Sequence, residues 1–299
     1  MINVNRFVVV SSANATKLQK ENSSETMRRN IYDPLMQFGR PIIDLVQPTE
    51  DELSDTIQPY DAAIIAGGDG TLNWILNALI RLKLNKKINL IPQPLGGMND
   101  IATSLYGRQS IDDTIKTGSS ATAYTIEATH YMDDNTTETV NALGYVGLGA
   151  SGVAALAVDY NPESTYQKYS DIFSAARAIL ETEIGFEYLD YNGDIKKAYE
   201  LLFMKTRMAG FIRPPSHLLF EEAYYSLSPK SRTAALGQLI LGLISKAGRG
   251  SIQTKDNVLS VTPKQHIFMQ ADGEHRIIKA NETLFIKNGS PVSIIRADK

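Results

Sequence analysis

The chain has 299 residues, with 30 Lys and Arg against 33 Asp and Glu, a formal charge of −3, and no cysteine. This balance exerts no general pull on polyanions and shows no basic face interleaved with aromatics, so nucleic acid is not expected as a partner; disulfides, thiolate nucleophiles and cysteine-based metal sites are excluded. At 43% hydrophobic and 21% charged residues, the chain reads as a globular protein long enough for two ordinary domains or one large one.

The opening residues carry too short an apolar run for a secretory signal, and residues 7–10 read as a first strand. Residues 23–38 have helical spacing, 41–46 form a second strand, and Thr49 opens a helix with acids in its first turn. Residues 62–66 are a third strand, 72–84 a helix and 88–91 a fourth strand. Short links between alternating strands and helices predict a parallel α/β domain over residues 1–121. From 122 to 299 the texture becomes β-rich. Residues 124–131 alternate as a half-buried strand, 166–180 have helical spacing, and 186–199 read as a hairpin turning on a two-residue Asn192-Gly193 loop. Strand-like runs at 258–261, 267–270, 283–286 and 292–295 complete a mostly antiparallel half, read as a sandwich. The longest apolar run, residues 234–244, is broken by Gln238 and falls short of the roughly 20 residues a membrane-spanning helix needs. A cytoplasmic chain is the expectation; peripheral contact with a membrane surface and a homodimer are both compatible with the sequence.

Three stretches carry chemistry. Gly67-Gly68-Asp69-Gly70-Thr71 lies between an apolar strand and a helical pattern. Glycines there let backbone N–H groups approach a phosphate without β-carbons in the way, and the helix start adds partial positive charge. Asp69 beside such a site would repel the phosphate unless a cation lay between them, which points to Mg²⁺; the alternative is a turn in which Asp69 caps the helix. The second stretch, Gly96-Gly97-Met98-Asn99-Asp100, follows the next strand. In a parallel sheet the two turns would lie along one edge, although an Asn or Asp helix cap explains the second equally well. The third, Asp272-Gly273-Glu274, reads either as a hairpin turn or as a general base with a nucleotide or metal contact. His130, His217, His266 and His275 show no metal-ligand spacing, and Ser151 reads as a turn residue.

These stretches, with residues 141–149 between the second and third, resemble the diacylglycerol kinase catalytic domain family, which includes bacterial diacylglycerol kinases and the sphingosine and ceramide kinases. The resemblance runs from about Phe7 to Ile295. It implies an α/β nucleotide-binding domain of Rossmann-like or phosphofructokinase-like architecture, related also to that of NAD kinases, then a β-rich substrate domain, with ATP in a cleft between them. Carried over, Gly67, Gly68, Asp69, Gly70, Thr71, Leu72 and Asn73 would surround the ATP phosphates, with Asp69 and Asp100 near Mg²⁺. Gly96, Gly97, Asn99 and Asp100 would line the same cleft, joined by Thr49 and by Ser11 and Asn14 after the first strand. Asp272 or Glu274 would take the proton from the acceptor hydroxyl.

The sequence departs from the family at Ser11–Thr16, where the usual Asn-Pro and glycine-bearing loop are missing. It departs again at Trp74, in place of a glutamate, and at Gly97 and Met98. Residues 214–223 offer only Glu221 and Glu222 where bacterial members often hold a structural Mg²⁺. The expected activity is an ATP- and Mg²⁺-dependent kinase acting on a lipid hydroxyl. The alternatives are a related kinase for NAD or a soluble alcohol, and a non-catalytic nucleotide-binding protein. Residues 236–244, with Phe211, Leu218, Leu219 and Phe220, are candidates to border an acyl-chain channel or to be plain core.

Overall fold

The computed structural model describes residues 6–12, 23–38, 42–57, 62–96, 99–107, 109–159, 174, 177–182, 185–190, 192–206, 224–227, 231, 233–234, 251–253 and 258–296. The acyl-channel segments, Glu221 and Glu222, most of the 166–180 helical pattern, Asn14, Gly97, Met98 and His217 lie outside them. Contacts divide the chain into two units, Met1–Ala123 with Pro291–Lys299, and Tyr124–Ser290. The chain comes back to the first unit at Pro291.

In the first unit, β1 (Phe7–Ser11), β2 (Ile42–Val46), β3 (Ala62–Gly67) and β4 (Asn89–Pro94) form a parallel sheet in the order β2-β1-β3-β4. The last part of β16 (Thr283–Arg296) runs parallel to β4, with Ile294 opposite Leu90. β1 and β3 are buried along their whole length, which is why they read as unbroken apolar runs rather than alternating ones. Apolar residues spaced three or four apart turn the helices inward: Met27, Ile31 and Leu35; Leu53 and Ile57; Leu72, Ile75, Leu76 and Leu79.

The second unit is a sandwich, and its mostly antiparallel β character matches the expectation. One sheet has the order β12-β11-β10-β7-β14-β15, from Ser251–Gln253, Tyr224–Leu227, Glu200–Met204, Tyr145–Gly149, Ile267–Ala271 and Glu274–Ile278. The other joins β9 (Ile195–Ala198), β8 (Phe186–Leu189), β13 (Leu259–Pro263) and β16, with β5 (Ser119–Tyr131) pairing β16 and β6 (Thr137–Ala142). Inward residues of both sheets, among them Ile126, Leu148, Phe186, Phe203, Met269 and Ile286, make one apolar core.

Two local readings change. The β8–β9 hairpin does not turn on two residues. Asp190 N donates to Asp194 O at 3.0 Å and Gly193 N to Asp190 O at 2.9 Å, so the closing pair is Asp190 with Asp194 and the loop is longer than two residues, with Gly193 at positive φ, +81°. The extra residue is accommodated because the Asp190 carboxylate collects the amides of Asn192 and Asp194, each at 3.0 Å. Ser151 lies inside the helix Ala150–Asp159 rather than in a turn.

Candidate active site

The first unit brings two of the three glycine-bearing stretches together. Gly67 ends β3, Gly68 is extended, and Asp69 starts the helix Asp69–Arg81. A β-carbon on Gly67 would lie 2.5 Å from Thr71 Oγ1 and 2.6 Å from Thr71 Cβ, so glycine is what lets the helix fold back over the strand end. The Gly67 carbonyl accepts from Leu95 N and Gly96 N, both at 3.1 Å. The Asp69 carboxylate accepts from Asp100 N at 2.8 Å and Ile101 N at 3.3 Å. Asn99 turns back on its own loop, receiving Gly96 N at 3.0 Å and donating to Gly96 O at 2.7 Å. The two turns are thereby bonded into a single piece of backbone. The Asp69 carboxylate caps the next helix, Asp100–Tyr106, where the structural alternative had it cap the helix it starts.

Leu72 is a buried core side chain, so it could offer a ligand only its backbone; Asn73 is buried as well, and its carbonyl and Oδ1 accept from Asn77 Nδ2 at 2.9 and 3.2 Å. Ser11 is buried at the end of β1, where its carbonyl receives Gln47 N at 2.9 Å. Thr49 forms a reciprocal capping box: Glu52 N donates to Thr49 Oγ1 at 3.2 Å and Thr49 N to Glu52 Oε2 at 2.8 Å. Its hydroxyl is engaged in starting a helix, and the Thr-x-x-Glu spacing was the signal for that. Trp74, the departure on the helix, is 37% exposed.

In the second unit the Asp272-Gly273 turn connects β14 to β15, both residues at positive φ (+46° and +92°), as a two-residue hairpin requires. Asp272 is fully buried. Its carboxylate receives Leu143 N at 2.5 Å, Tyr145 N at 2.8 Å and Gly144 N at 3.0 and 3.1 Å. Those amides belong to residues 141–149, so two stretches that looked separate in the sequence meet here. Glu274, by contrast, is exposed on β15. Lys205, a residue the sequence did not single out, is fully buried in the same unit: its amide donates to Gly144 O at 2.7 Å and its Nζ to Asn288 Oδ1 at 2.7 Å.

Glu200, at the head of β10, was also missed. It is 4% exposed and receives Ser151 N at 2.7 Å, while its Oε1 and Ser151 Oγ have no partner among the described residues. Burial pushes its carboxyl up to about 8, against the pull of Ser151. Among the described residues no group of three or more acidic or histidine side chains is gathered as a metal cluster, and no helix is long and apolar enough to cross a membrane.

Comparison with known proteins agrees with the glycine turns. Residues 36–131 match the family model of the diacylglycerol kinase catalytic domain. The family resemblance is borne out. A diacylglycerol kinase of Staphylococcus aureus strain bovine RF122 / ET3-1 is 22% identical over 288 residues, spanning 85% of this chain and 83% of its own; that of strain Newman has the same identity and coverage. A crystal structure of a diacylglycerol kinase from Bacillus anthracis str. Sterne superposes with a TM-score of 0.67 at 15% identity, over 98% of this chain and 97% of its own. The relatives in sequence and in fold are thus kinases.

Proposed function

We propose that the chain is an ATP- and Mg²⁺-dependent kinase that phosphorylates a hydroxyl group on a lipid of the diacylglycerol or sphingoid class. The observation that carries this reading is the joined pair of glycine turns at the neighbouring ends of β3 and β4, within the segment that matches the kinase family. Bare backbone at parallel strand ends, beside the start of a thirteen-residue helix, is suited to a triphosphate. Gly67, Gly68, Gly70, Thr71, Leu72, Asn73 and Gly96 would supply the phosphate cradle, mainly through backbone.

A nucleotide-bound ion takes one or two protein carboxylates besides phosphate and water oxygens, and of the two acids of these turns Asp100 would be the one to contribute, the Asp69 carboxylate being engaged by the amides of Asp100 and Ile101. When bound, the ion would neutralise charge on the transferring phosphate. The acceptor oxygen bonds the γ-phosphorus while the bond to the β–γ bridging oxygen breaks and ADP leaves. Glu274 takes the acceptor's proton; Asp272, enclosed and engaged by backbone amides, is the less suited of the two. A location on the cytoplasmic side, with contact at a lipid surface, follows from a lipid acceptor.

The test is to incubate the purified chain with γ-labelled ATP, Mg²⁺ and a lipid extract, with Glu274→Gln alongside. Label in an organic-phase product from the unaltered chain only is the expected result. ATP binding without transfer, to lipids and to soluble alcohols alike, would establish a non-catalytic nucleotide-binding protein instead, and label found only in a soluble product would establish the related kinase.

A further inference from the structure

We infer that Asp69 is a positioning residue: its carboxylate is the strut that holds the second glycine turn against the first, and it acts on the nucleotide through that turn rather than as a ligand of the metal. The inference rests on the proposed kinase reading for its consequence but not for its geometry.

A helix start leaves its first amides without backbone partners, and something must take them. The helix Ile111–Thr117 solves this locally, with Ser110 Oγ accepting Asp113 N at 3.3 Å. The helix Asp100–Tyr106 does not. Asn99, in the cap position, makes no side-chain cap bond, because its amide group is turned back onto Gly96. Its first two amides, Asp100 N and Ile101 N, are taken by Asp69 from another helix 31 and 32 residues earlier. Asp69 is only 4% exposed, so the bonds to this carboxylate are formed away from water, where charge-assisted hydrogen bonds are strong. On the other side, Gly67 O holds the amides of Leu95 and Gly96. The second turn is therefore gripped at both ends by the first, and Asp69 supplies the side-chain half of the grip.

Asp69→Asn keeps the shape but turns one acceptor into a donor, so one of the two amides must face an N–H group. Two readings of Asp69 then separate by sign. If it is a metal ligand, removing its charge beside a triphosphate relieves repulsion, and nucleotide binding without Mg²⁺ holds or improves. If it is the strut, the cradle loosens and binding weakens with or without the ion.

The experiment uses the full chain and Asp69→Asn, with two readouts. Amide hydrogen exchange should show Asp100 and Ile101 protected in the unaltered chain relative to an unstructured peptide of the same sequence. The substitution should accelerate both by about ten- to a hundredfold while β1 and β3 keep their rates. ADP affinity, measured by calorimetry, should fall by a similar factor in Mg²⁺ and in EDTA. The inference is overturned if the two amides are unprotected in the unaltered chain, if the substitution leaves them unchanged, or if affinity falls only in the presence of Mg²⁺. An unaltered chain that binds no adenine nucleotide would sink the kinase reading and leave the strut to be decided by exchange, which also needs no variant for its first arm.

Discussion

Glu200 and Glu282 are both nearly inaccessible to water, and burial acts on each carboxyl in the same direction, upward. For Glu282 the push is overcome by Lys279 N at 2.8 Å and His130 Nε2 at 2.8 Å, leaving it below the ordinary value. For Glu200 burial prevails and its carboxyl reaches about 8 from 4.5. The signs of the stability effects are therefore opposite. The folded chain keeps a proton on Glu200 that the unfolded chain has released, so this group subtracts stability progressively as pH rises from about 4.5 to about 8. Glu282 adds stability above its unfolded value and loses it as pH falls through its depressed folded one. Glu200→Gln should remove the first slope: thermal unfolding of the variant at pH 8 should show a gain of a few kcal/mol over the parent, on the order of magnitude of the shift, with little difference at pH 4. Glu282→Gln should instead cost about 1–3 kcal/mol at neutral pH. Neither behaviour was legible in the sequence. Tyr199-Glu200-Leu201 has nothing that separates a carboxyl turned inward from one in water, because that depends on which strand lies opposite, here β7 with Gly149 against Glu200.

At the level of turns, sequence and structure agree where a residue's backbone demand is local and diverge where an acid reaches across the chain. Gly67 was readable because a strand running into a helix with Gly-Gly demands close approach. Replacing it with alanine should cost about 1–3 kcal/mol through the overlap with Thr71, and Thr71→Gly in the same chain should recover part of that loss, a coupling measurable by denaturant titration of the four proteins. Asp-Gly at residues 272–273 was equally readable as a hairpin. What could not be read was the partner of the Asp272 carboxylate, the amides of residues 143–145, more than a hundred residues away. This division of labour within one turn gives a sharp pair of outcomes. Asp272→Asn puts a donor among buried donors and should lower stability by about 2–3 kcal/mol. Glu274→Gln, at an exposed position, should leave the melting temperature within error of the parent and abolish phosphate transfer. Equal loss of stability in both variants would mean that the turn works as a block and that Glu274 is not the base.

Across the whole molecule, the feature least visible in the sequence is the return of the chain to its first unit. Residues 292–295 look like one more strand of the β-rich half, since nothing in Val-Ser-Ile-Ile names the sheet it will join. Its partners are nevertheless in the first unit. Asn85 Nδ2 donates to Pro291 O at 2.6 Å, Asn85 O accepts from Ser293 N at 2.8 Å, Ser293 Oγ donates to Asn89 Oδ1 at 2.7 Å, and Tyr106 OH donates to Ile295 O at 2.9 Å. Val292, Ile294 and Ile295 are buried. These side chains lie among the most apolar positions of the unit, and burying each contributes about 1.5–3 kcal/mol, so the segment supplies an amount comparable to the whole stability of a small domain. A chain ending at Ser290 should therefore lose its first unit preferentially. Calorimetry would show a lowered or missing transition for residues 1–123, while amide exchange in β7, β10 and β14 of the second unit stays slow. The glycine turns at the ends of β3 and β4 would then open together, and nucleotide binding with them. Uniform weakening of both units on truncation would show that they unfold as one body; an unchanged first unit would show that β4 holds the sheet edge without β16.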